Sequence, residues 1–123
     1  MFNTISTAIT ALFATCLIAT SAYAHPTLKW ASPPVDGTAT AAPTEIRLNF
    51  SEAVILKFSS VELRDQSGMQ VATGKFAIDS KDEKQLIVPL QAPLKAGKYT
   101  VKWTIVSADT HRVNGSYSFT VAL

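Results

Sequence analysis

The chain has 123 residues, is 47% hydrophobic, and carries 11 Lys and Arg against 9 Asp and Glu, for a formal charge of +2. That length holds one domain, and the dispersed, nearly balanced charges exclude a basic footprint for nucleic acid or a membrane surface. A single cysteine, Cys16, excludes a disulfide framework and a thiolate metal cluster.

Met1 to Ala24 is expected to be a secretory signal. Its apolar stretch Ile9 to Ile18 is uncharged and too short to span a bilayer comfortably, and Ala22-Tyr23-Ala24 supplies the cleavage pattern. Met1 to Ala8 lacks Lys and Arg, so only the starting amine gives the positive charge usual there. The competing reading is an uncleaved anchor. Lipidation of Cys16 is disfavoured, because Phe13-Ala14-Thr15 puts no Gly or Ala directly before it. Removing 24 of 123 residues leaves 99, residues 25–123, as a single cysteine-free domain with no further membrane span.

Strand patterns and turn signals then alternate along the chain. Ser32-Pro33-Pro34-Val35-Asp36-Gly37 reads as a turn, followed by Ile46, Leu48 and Phe50 alternating with Arg47 and Asn49. Val61 and Leu63 flank Glu62, Asp65 to Gly68 reads as a turn, and Asp79 to Lys84 as a charged, solvated one. Leu86-Ile87-Val88 fits a buried strand that Pro89 ends, since proline cannot donate to a ladder. After the Pro93 to Gly97 turn, Tyr99 to Ile105 has apolar odd positions and polar even ones, the mark of one buried and one wet face. Asn114-Gly115 is expected to turn before a last strand, Tyr117 to Val121. Trp30, Tyr99, Trp103 and Phe119 are expected in the core rather than on a binding platform. About seven short strands without a helical period predict an all-β, antiparallel, immunoglobulin-like sandwich or Greek-key barrel.

The chain has two histidines. Cleavage after Ala24 makes His25 the first residue, where the α-amine and imidazole of one residue close a chelate ring on a metal. Nitrogen donors in a tetragonal arrangement suit copper(II), which tops the divalent affinity order. Pro26 has no amide proton for copper(II) to displace, so the remaining donors must come from elsewhere in the fold. Asp109 and His111 are the candidates, because a two-residue spacing in extended backbone points both side chains to one face. The plainer alternative is a frayed terminus and a surface turn held by an Asp–His pair. Glu52 lies just past an alternating strand and reads more simply as an exposed turn acid. Met69 is the only methionine after Met1, so the thioethers that copper(I) selects are nearly absent and a copper(I) site is not expected.

Taken with His25-Pro26, the segments Leu48-Asn49-Phe50-Ser51-Glu52, Gly97 to Trp103, Val106 to His111 and Gly115 to Val121 resemble the CopC family of periplasmic copper-resistance proteins. The resemblance implies a seven-stranded Greek-key sandwich holding one copper(II) ion through His25, Asp109 and His111. Glu52 stands where the family has a carboxylate near the site, as a supporting or occasional ligand. Thr110 falls where the family often has glycine, and Ala53 and Arg112 where it often has proline. The resemblance also implies a copper(II)-only, non-catalytic carrier or buffer in the periplasm, served by a CopD-like inner-membrane copper transporter; a monomer is expected. Two other functions compete. A histidine clamp on copper could serve an oxidative enzyme, although the short domain leaves little room for a substrate face. The sandwich could also be a metal-free interaction module, since fold alone does not fix function.

Overall fold

The structure, a computed structural model, describes residues 25–123; the expected signal segment and Cys16 lie outside them. In chain order the strands are β1 (Leu28–Ser32), β2 (Thr38–Ala39), β3 (Glu45–Phe50), β4 (Ser60–Arg64), β5 (Gln70–Val71), β6 (Ala77–Asp79), β7 (Asp82–Pro89), β8 (Gly97–Val106) and β9 (Arg112–Val121), with one 3-10 turn at Leu56–Phe58. They form a four-stranded sheet ordered β1-β3-β7-β6 and a five-stranded sheet ordered β2-β9-β8-β4-β5. The all-β sandwich is as the alternation predicts. Nine segments stand in place of seven strands because β2 and β5 are two residues long, too short to leave a period in the sequence. One pairing, β2 with β9, is parallel.

The alternating residues build the core. Ile46, Leu48 and Phe50 of β3 and Leu86 and Val88 of β7 are fully buried, facing Leu63 of β4, Val101 and Ile105 of β8 and Phe119 of β9. Each such side chain contributes about 1.5–3 kcal/mol on burial. Aromatic rings fill the space between the sheets: Phe50 meets Trp103 edge-on at 5.8 Å, and Tyr99 stacks on Phe119 at 5.5 Å. Buried phenols find backbone partners, with the Tyr99 hydroxyl donating to Lys95 O (2.8 Å) and that of Tyr117 to Pro33 O (2.9 Å). Burial pushes the Tyr117 phenol far above its ordinary range.

Three expectations are corrected. Trp30 is 47% exposed, because a bulge between Leu28 and Trp30 slips the alternation and hands the inward position to Ala31. Asn114-Gly115 is not a turn but lies inside β9, where Gly115 pairs with Trp103. A Cβ on Gly115 would stand 2.4 Å from Trp103 Cζ2, so this glycine serves the close approach of an indole rather than a bend. The acidic turn after β6 is also not merely solvated. Arg47 Nη1 donates to Asp79 Oδ2 (3.0 Å) and Asn49 Nδ2 to Asp82 Oδ2 (2.9 Å). The Lys81 amide, and then Arg47, hold the Asp79 carboxyl below the usual carboxylate range.

Candidate metal centre

β8 and β9 pair along their whole length, from Gly97 opposite Val121 to Val106 opposite Arg112. Residues 107–111 are therefore the tip of a long hairpin, set on rigid strands. The tip is closed by Ser107 N–H donating to His111 O (2.9 Å) and Thr110 N–H donating to Ser107 O (2.8 Å). Ser107 is fully buried, and its hydroxyl donates to Asp109 Oδ1. The His111 amide approaches the same oxygen at 3.3 Å, and His111 Nδ1 stands 2.9 Å from Asp109 Oδ2. These contacts, the Ser107 hydroxyl first and the His111 side chain next, lower the Asp109 carboxyl to about 2. Asp109 is thus held in its charged form well below the usual carboxylate range.

Asp109 and His111 meet as expected, but not by sharing the face of an extended strand. Thr110 between them has a φ of +71° and reverses the chain, so a left-handed turn brings the pair together. A β-branched residue in that region carries strain of about 1–2 kcal/mol, which explains why this position suits glycine. Thr110→Gly is expected to raise stability by about 0.5–1 kcal/mol, the relieved strain less the added freedom of glycine in the unfolded chain. Thermal unfolding reads the change, and an unchanged or lower midpoint contradicts the assigned strain.

His25 reaches the tip from the other side of the sandwich. Residues 25–27 run into edge strand β1, which pairs antiparallel with β3, so they lie beside the end of β3. Thr27 O accepts from Ser51 N–H (2.8 Å), and Thr27 N–H donates to Ser51 Oγ (2.9 Å). Pro26 is buried and His25 exposed. The His25 ring meets that of His111 edge-on, with centroids 5.5 Å apart and planes at 75°. Glu52 is half-buried between Ser51, tied to Thr27, and Ala53, whose carbonyl accepts from Ala108 N–H (3.0 Å). Backbone bonding thus sets Glu52 beside both halves.

Two imidazoles and a carboxylate therefore gather at one end of the sandwich, although they start 84 residues apart in sequence, as His25 and Asp109 do. Among the described residues no group of three or more His, Cys, Asp or Glu is placed so that it could hold a metal ion as it stands. The Asp109–His111 pair is at bonding distance and His25 is at ring-contact distance. Sequence reasoning left two participants without a role, Ser51 and Ser107. A serine two residues before an aspartate, at the end of a long alternating strand, was the available signal for Ser107; nothing short of the strand register identifies Ser51.

The fold and this cluster define a class, a small two-sheet β-sandwich with a histidine- and aspartate-bearing end. Residues 28–122 match the CopC domain family. Copper resistance protein C of Escherichia coli is 44% identical over 112 residues, covering 85% of this chain and 86% of that protein. Copper resistance protein C of Xanthomonas campestris pv. juglandis is 40% identical over 125 residues, covering 98% and 97%. The solved structure of PcoC, a methionine-rich copper resistance protein from Escherichia coli, superposes with a TM-score of 0.72 at 42% identity, over 80% of this chain and 99% of that one. The chain belongs to the CopC family.

Proposed function

We propose that this protein is a periplasmic copper(II) carrier or buffer. Its cargo is one ion held by the amine and imidazole of His25, the imidazole of His111 and the carboxylate of Asp109, once residues 1–24 have been removed. The observation that carries the proposal is the Asp109–His111 pair at 2.9 Å with the His25 ring beside it. His25 is exposed and turns about its side-chain torsions without disturbing the core. Glu52 supports the ligands from the adjoining segment.

The donor set favours copper(II) over copper(I). Nitrogen and oxygen donors in a tetragonal arrangement suit the oxidised ion, whereas the reduced one selects thioether and thiolate. PcoC is described as methionine rich, while this chain has Met69 alone after Met1. The role is transfer and storage rather than catalysis, with a CopD-like inner-membrane copper transporter as the partner and a monomer as the working form. Among the described residues no helix is long and apolar enough to cross a membrane.

Titration of the domain beginning at His25 with copper(II) tests this reading. One equivalent is expected to bind per chain. A domain with a free His25 amine that takes up no copper overturns it and leaves the metal-free interaction module as the better description.

A further inference from the structure

We propose that Ser51 is a positioning residue that fixes the N-terminal donor of the copper site against the hairpin tip, an inference that rests on the copper(II) reading above. Chain termini fray unless they are tied down, and His25 sits at the end expected to be exposed by cleavage. Pro26 has no N–H, so the Thr27 amide is the first backbone donor after His25. That donor goes to Ser51 Oγ (2.9 Å), while Ser51 N–H returns to Thr27 O (2.8 Å). The reciprocal pair continues the β1–β3 ladder one step past Leu28 opposite Phe50. There the strand-to-strand partner of the Thr27 amide is a side chain rather than a carbonyl.

The same short stretch grips the other half of the site. Ala53 O accepts from Ala108 N–H (3.0 Å), Val54 bridges to Ser107, and Ile55 N–H donates to Val106 O (2.9 Å). Residues 51–55 thus form a bracket with Ser51 at one end and the base of the hairpin tip at the other. Ser51 Oγ makes the bracket's side-chain bond nearest His25, while at the far end the Ser59 hydroxyl donates to Ile55 O (2.8 Å). Removing the Ser51 hydroxyl frees the Thr27 amide and leaves one backbone bond and the buried Pro26 holding the terminal segment, so more of the ordering of the His25 amine and imidazole falls to the metal. Preorganised donors bind more tightly because that ordering cost has been met in folding.

The test compares the domain beginning at His25 with its Ser51→Ala, Ser51→Thr and His111→Ala variants. Copper(II) affinity is read by competition titration and the coordination by electron paramagnetic resonance. Hydrogen exchange of the Thr27 amide is read without metal. Ser51→Ala is expected to speed Thr27 exchange, to weaken copper(II) by about tenfold or more, and to broaden the copper spectrum. Ser51→Thr, which keeps the hydroxyl, is expected to restore all three. If Ser51→Ala leaves affinity and spectrum unchanged while His111→Ala loses copper, or lowers only thermal stability, the positioning role is overturned and the site stands. If the unmodified domain binds no copper, the copper reading itself fails, and this inference with it.

Discussion

His111→Ala is expected to weaken copper(II) binding by about a hundredfold or more, which at about 1.4 kcal/mol per tenfold is about 2.8 kcal/mol. The imidazole of His111 touches both other candidate donors, standing 2.9 Å from Asp109 Oδ2 and meeting the His25 ring at 5.5 Å. Its loss therefore removes one nitrogen and the contact that registers the other two groups. Losing a group that merely supports a ligand costs about 10- to 100-fold, and the loss of a ligand is expected at or beyond the upper end. The hairpin tip should survive, because the Ser107 N–H to His111 O bond is backbone and the Ser107 hydroxyl still holds Asp109. Competition titration reads the affinity, and circular dichroism checks the fold. A folded His111→Ala domain that binds copper(II) as tightly as the parent removes His111 from the site.

Retaining a single residue before His25 is expected to cost at least as much. With Ala24 in place the His25 nitrogen is an amide, which joins a chelate with the ring only after copper(II) displaces its proton, a cost that the free amine of His25 does not carry. The second bond of a chelate forms within one molecule, and such linked contacts raise overall affinity by about 10²–10⁴-fold. The Ala24-bearing domain should therefore bind copper(II) more weakly by about two orders of magnitude. Its fold should be unaffected, since the added residue precedes His25, which is exposed. Side-by-side competition titrations of the two forms read the difference. Equal affinities together with an unchanged electron paramagnetic resonance spectrum contradict the amine as a donor.

Much of this was legible in the residues, and the failures have local causes. The alternation in β3 and β8 gave two buried faces, because period-two patterning survives wherever one face of a strand is wet. Trp30 broke the pattern because a bulge consumes one residue without changing composition. Gly115 was misread because a glycine beneath an indole and a glycine in a turn look alike without the strand register that puts it opposite Trp103. At the site, the residue types and the Asp109–His111 spacing pointed to a shared location. The reason they meet, a left-handed turn at Thr110, is a tertiary outcome: strand pairing on both sides forces the reversal on a residue that resists it. That His25 arrives at the same end depends on β1 being antiparallel to β3 and on the 51–55 bracket. Both are contacts between distant segments and leave no mark in any single stretch of sequence.

Electron paramagnetic resonance of the domain beginning at His25, loaded with one equivalent of copper(II), bears most directly on the site. A tetragonal signal with splitting from three nitrogens, two imidazoles and one amine, is expected. A signal with fewer nitrogens, or one that Ala24 retention and His111→Ala both leave unaltered, would contradict the assignment of His25 and His111 as the ion's holders.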